Sequence, residues 1–209
     1  MVGRIIETQE CLAEGADWLQ SRDPRFALAL NATGPLPLRL RRDAGFGVLL
    51  DIIMAQQVSV ASADAIWRRL EAAGLTEMET VALADEDALR ACGLSRQKIR
   101  YAQGLARSGI DYDALAHLPD EEVISALVTL PGVGRWTAEV YAMFALGRAD
   151  VFAAGDLALQ EAAKVLFELP ARPGDKELRR MAENWSPWRA VAARALWAYY
   201  RVRKGREGI

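Results

Sequence analysis

A chain of 209 residues, 52% of them hydrophobic, is long enough for one large domain or two small lobes around a sizeable core. No apolar run approaches the roughly 20 residues that span a bilayer, and Met1–Glu10 lacks the apolar stretch of a secretory signal, so a cytoplasmic protein without membrane contact is expected. A formal net charge of −2 argues against attachment to nucleic acid by bulk positive charge, although a local patch and backbone amides suffice to bind DNA.

The apolar spacing is helical almost throughout, and the expected fold class is all-α. Cys11, Ala16, Trp18 and Leu19 mark an amphipathic segment that stops before Asp23-Pro24, and a short helix follows at 24–31. Asn31-Ala-Thr-Gly-Pro-Leu-Pro37 is a turn-rich connector. Phe46, Leu49, Leu50, Ile53 and Met54 predict a helix from Asp43 to Val58. Ser59 caps the next, which runs to Gly74. Short helices are expected at 77–83 and 85–91, then a break at Gly93-Leu-Ser95 and a helix from Arg96 to Ser108. A helix at 120–129 runs into Leu130-Pro-Gly-Val-Gly134, and another starts at Arg135. Asp150–Gly155 reads as extended or looped. Helices then follow from Asp156 to before Pro170, at 175–184 and at 187–204, with a frayed tail after Arg203. The expected organisation is a two-lobed helical bundle with a cleft between lobes: 45–150 in the middle, 1–44 plus 151–209 around it.

Chemistry-bearing residues are few. Cys11 and Cys92 are far apart and form no CxxC pair, which argues against a Cys-ligated zinc or iron–sulfur cluster. The single histidine, His117, has no His or Cys neighbour and reads as a loop or helix-start residue. The tight turn at 130–134 carries more information. Pro131 cannot continue the preceding helix, Gly132 and Gly134 leave the backbone uncovered, and the next helix presents N–H groups in its first turn. Such a turn suits a phosphate, with Arg135 beside it to add charge, but it equally suits a plain αα-hairpin.

Leu130-Pro-Gly-Val-Gly-Arg-Trp-Thr-Ala-Glu-Val-Tyr141 resembles the hairpin of the helix-hairpin-helix DNA glycosylase superfamily. Arg135-Trp-Thr-Ala138 is similar to the DNA-3-methyladenine glycosylase II branch in particular. The resemblance spans about residues 45–200 and corresponds to a compact form without the N-terminal β domain of the bacterial enzyme. It implies that the backbone at Gly132, Val133 and Gly134 holds double-stranded DNA carrying a damaged base. It also implies a Na+ or K+ held by the carbonyls of Val128, Leu130 and Val133, with no other cofactor and a monomeric enzyme.

Asp156, in Val151-Phe-Ala-Ala-Gly-Asp-Leu-Ala-Leu-Gln160, reads on its own as an N-cap. The resemblance places the family's catalytic Asp at this distance after the hairpin. One ionised carboxylate suits the reaction, because breaking an N-glycosidic bond builds positive charge on the sugar. An alkylated purine already carries positive charge and leaves without a strong acid. In bifunctional relatives a nucleophilic lysine stands two residues after the second hairpin glycine. Trp136 holds that position here, which implies a glycosylase without lyase chemistry.

Six tryptophans are available for a pocket or a core. Trp18, Trp67 and Trp197 read as core. Trp136 and Trp188, the latter in Asn184-Trp-Ser-Pro-Trp-Arg189, match pocket aromatics of the family. Val140 and Leu157 replace family aromatics in that pocket, which leaves the lesion open. Ile52-Ile-Met-Ala-Gln-Gln-Val-Ser59 resembles the segment that enters the duplex, with Gln57 as the wedge and Gln56 at the minor groove. Gly93–Lys98 matches a family segment concerned with packing and phosphate contact. The function implied is excision of alkylated purines such as 3-methyladenine in base excision repair. Two alternatives stand: a glycosylase for deaminated or mismatched bases, and a non-catalytic DNA-binding module.

Overall fold

The computed structural model describes residues 2–39 and 44–205. Every regular element among them is a helix, and the extended backbone makes only an isolated antiparallel bridge between Ile5 and Arg148. In chain order the helices are α1 (Gln9–Arg22), α2 (Arg25–Thr33), α3 (Phe46–Ala55), α4 (Val60–Ala72), α5 (Met78–Leu83), α6 (Glu86–Ala91), α7 (Arg96–Ala106), α8 (Tyr112–Leu115), α9 (Asp120–Leu127), α10 (Arg135–Phe144), α11 (Leu157–Leu166), α12 (Asp175–Ala182) and α13 (Arg189–Lys204). A single 3-10 turn at Glu183–Trp185 links the last two. No helix among the described residues is long and apolar enough to cross a membrane.

Local chemistry explains several of the helix starts. Ser59, Asp85, Ser95 and Asp111 each accept a backbone N–H from three residues on, which satisfies a donor that the helix itself cannot. The four-residue α8 carries no apolar period and was not expected. α3 ends at Ala55, not Val58, because the chain turns at Gln56 and Gln57. α11 stops at Leu166, well before Pro170, where Glu168 N–H reaches the Val165 carbonyl and Leu169 N–H reaches the Lys164 carbonyl. The helix start expected at Asp43 and most of the tail expected beyond Arg203 lie outside the described residues. Within them, α13 continues to Lys204.

The described residues divide into two compact units, one holding residues 44–141 and the other 2–39 and 142–205. In the first, α7 packs against α3, α5 and α6, and α3 packs against α4. Leu49, Leu50, Ile53, Met54, Leu70, Ile99 and Leu105 form its interior. In the second, α13 is the central helix, against α1, α2 and α11. Its residues Ala190–Ala198 are all buried, so it is apolar on every side apart from Arg194. Close approach of α1 depends on Gly15, where a Cβ would come within 2.7 Å of Val191 and 2.8 Å of Trp188. Contacts place residues 142–150 with this unit. Ala149 N–H donates to the Arg4 carbonyl at 3.0 Å, and Ile6 N–H donates to the Gly147 carbonyl at 2.7 Å.

Candidate active site and nucleic-acid interface

In the first unit the turn between α9 and α10 is closed by its own backbone. Val133 N–H donates to the Leu130 carbonyl at 3.2 Å. Gly132 lies at φ +79°, and a Cβ there would stand 2.5 Å from the Tyr101 ring, so only glycine fits. Gly134 does not use the left-handed region. It stands at the entry to α10, gives its carbonyl to Ala138 N–H at 3.1 Å, and has open space where a Cβ would point. Two expectations change here. The Val133 amide serves the turn, which leaves the first turn of α10 as the place where the helix itself supplies no acceptors. Arg135 adds no uncompensated charge: its guanidinium donates to Glu139 at 2.9 Å and to both oxygens of Glu121 at 2.9 and 3.2 Å.

The Gln56–Gln57 turn meets the hairpin in one groove of about 520 Å³ within this unit. Gln56 is the residue expected at the minor groove, and its amide nitrogen is engaged within the protein. It donates to the Gly132 carbonyl at 3.1 Å and to Thr137 Oγ1 at 2.9 Å, so it ties the turn to the hairpin. Gln57 is exposed and held at φ +58°. A non-glycine residue in that region carries strain of order 1–3 kcal/mol and marks a place where the backbone serves something other than stability. The 93–98 segment lines the same groove. Lys98 donates to the Met54 carbonyl near the end of α3, and burial pulls its ammonium below the usual lysine pKa. Tyr101, which supports Gly132, and Gln97, which donates to the Tyr101 hydroxyl, were not singled out in the sequence. Nothing local marks them, because their role depends on α7 lying beneath the hairpin.

In the second unit Asp156 is 8% exposed and stands before α11. Its Oδ1 accepts Ala158 N–H at 2.9 Å, Leu159 N–H at 3.0 Å and the Trp197 indole N–H at 3.1 Å. The approach to it is rigid. Val151, Phe152, Ala153 and Ala154 are buried, Asp156 N–H donates to the Ala153 carbonyl, and Gln160 Nε2 donates to the Ala154 carbonyl at 2.9 Å. Further back, Asp150 accepts Arg189 through both oxygens and the Ser186 hydroxyl, which fixes the start of α13 to this segment. Leu157, the next residue, is 61% exposed.

The aromatic expectations are revised. Trp188 is 2% exposed, with the Arg4 guanidinium 4.7 Å from its ring centroid and Gly15 against the ring. Its surroundings make it a packing residue of α1 and α13, not a pocket wall. Trp197, read as core, is buried but also bonds Asp156. Trp136 is half-buried in the first turn of α10, and Val140, one turn on, is buried. Both cysteines are free thiols. Among the described residues no group of three or more His, Cys, Asp or Glu side chains is placed to hold a metal ion.

Comparison with known proteins gives a consistent picture. Residues 50–187 match the HhH-GPD superfamily of base excision DNA repair proteins. The chain is 27% identical over 199 residues to the alkylbase DNA glycosidase-like protein mag2 of Schizosaccharomyces pombe, across 90% of this chain and 93% of that one. It is similar to the crystal structure of a DNA-3-methyladenine glycosidase from Bacillus halodurans, with a TM-score of 0.78, 31% identity, and coverage of 90% and 89%. It is also similar to the Schizosaccharomyces pombe 3-methyladenine DNA glycosylase Mag1 in complex with abasic DNA, with a TM-score of 0.77, 26% identity, and coverage of 88% and 95%.

Proposed function

The chain belongs to the HhH-GPD superfamily of base excision DNA repair proteins, and on that premise we propose that it is a monofunctional DNA glycosylase that releases alkylated, cationic purines such as 3-methyladenine. The observation that carries this reading is the state of Asp156: a buried carboxylate locked by three neutral donors, 22 positions after a glycine hairpin.

The chemistry then follows from charge. As the C1′–N bond breaks, the electron pair leaves with the base and positive charge builds on the sugar. Asp156 stabilises that charge and directs a water to C1′, so the products are free base and an abasic site. A purine that is cationic through alkylation departs neutral, which removes the demand for a second carboxylate as acid. Trp136 supplies no amine at the position of the lyase lysine, so the strand stays intact. DNA is the partner in this reading. The Gly134 amide and the first turn of α10 take a phosphate, and Gln57 fills the space of the everted nucleotide. A monovalent cation at the Val128, Leu130 and Val133 carbonyls is compatible with the turn: Leu130 already accepts Val133 N–H, and a carbonyl oxygen keeps a second lone pair.

The test is product analysis on a methylated duplex. The expected result is free 3-methyladenine and strands that break only after alkali. Nicked strands without alkali would refute the monofunctional assignment, and no free base from methylated, deaminated or mismatched duplexes would refute the enzyme.

A further inference from the structure

Asp156 is over-supplied with donors for a helix cap. An N-cap side chain accepts from one or two amides of the first turn, and Ala158 and Leu159 already provide them. The third donor comes from another helix, 41 positions along the chain, and lands on the same oxygen. We infer that Trp197 is a positioning residue for the Asp156 carboxylate, setting the plane in which it faces the sugar. The inference rests on the reading of Asp156 as the catalytic group.

Two features favour positioning over simple core filling. The first is chemical. A buried indole N–H needs one acceptor, and any backbone carbonyl would satisfy it. Here it is aimed at a carboxylate, and as a neutral donor it orients the anion without quenching its charge. An arginine or lysine in its place would do both. The second is mechanical. Trp197 is 4% exposed, and its ring lies 5.7 Å from Phe144 at an interplanar angle of 36°. The Arg194 guanidinium sits 4.5 Å from the centroid of Phe144 and is itself held by the Ala190 and Met143 carbonyls at 3.2 and 3.1 Å. The indole is packed so that its N–H has one direction. By contrast, the Trp67 indole N–H donates to Glu71 at 2.9 Å one turn along the same helix, where the bond is exposed.

Two replacements remove the donor and keep the ring. Trp197→Phe leaves an aromatic against Phe144, and β-(3-benzothienyl)alanine at 197 keeps the indole shape with sulfur in place of N–H, so it carries the test if the phenylalanine variant does not fold. Single-turnover base release from a methylated duplex is measured beside duplex affinity and thermal midpoint, with Asp156→Asn as reference. The expected result is a fall of roughly tenfold to a hundredfold in the release rate, the scale of losing one hydrogen bond to a charged group, with affinity unchanged. A folded variant that releases base at the wild-type rate overturns the inference. So does a matched loss of rate and affinity, which is what a structural defect produces. If Asp156→Asn itself still releases base, the underlying reading fails instead; if it is inactive while both replacements are normal, only the role of Trp197 fails.

Discussion

The hairpin of the first unit and the Asp156 turn of the second are both the entrance to a helix, and they treat its amides in opposite ways. Before α11 the chain supplies its own anion: Asp156 accepts two first-turn amides and is fixed by Trp197. Before α10 stands Gly134, which has no side chain to accept anything, with open space around it. The same excess of donors and the same dipole act at both places. In one the anion belongs to the protein and, on the proposed function, is held still for chemistry. In the other, on the proposed function, the anion is a phosphate of the DNA. Binding and catalysis thus use one physical device with the negative charge on different molecules.

That comparison can be broken at the hairpin first. Gly132→Ala has to place a Cβ 2.5 Å from the Tyr101 ring at φ +79°. It should lower stability by roughly 1–3 kcal/mol and weaken duplex affinity about tenfold by displacing the neighbouring amides. A melting curve and a fluorescence titration read the two effects. Gln56→Ala is the next probe. It leaves the Gly132 carbonyl and Thr137 without their shared donor and should cost about 1–2 kcal/mol, visible as a lower urea midpoint at unchanged slope. If Gln56 served DNA alone, the free protein would keep its stability. The smallest effect sharpens the comparison by changing sign. Gln57→Gly relieves the left-handed strain at φ +58° and should stabilise the protein by about 0.5–1 kcal/mol, while the rate of base eversion, followed with 2-aminopurine in the duplex, falls. A destabilised Gln57→Gly protein would mean the side chain is held by packing and not by function.

Much of the fold was legible because its signals are local. Ser59, Ser95 and Asp156 announce helix starts by the hydrogen bonds their own side chains make, and the apolar spacing of Phe46–Met54 needs no tertiary context. The turn at 130–134 was likewise readable from its residues, whereas Asp156 alone read as an N-cap and only the family resemblance made it a candidate for chemistry. Partner choice was not legible. Gln56 reaches a carbonyl 76 positions away, Arg135 is claimed by Glu121 and Glu139, and Trp197 meets an aspartate 41 positions back. Trp188 looked like a pocket aromatic from its motif, yet the fold places Gly15 and Arg4 against it. Polar and aromatic side chains have several acceptable neighbours, and only the packing of distant helices selects one.

The central claim is that the charge of Asp156 does the chemistry while the hairpin does the binding. Asparagine is as good an N-cap as aspartate, so Asp156→Asn removes the charge and little else. Base release and duplex affinity measured on the same methylated DNA separate the two roles. The account predicts release slowed by roughly a thousandfold or more, with affinity within about twofold of wild type. Release at a near-normal rate, or an equal collapse of affinity, would contradict it.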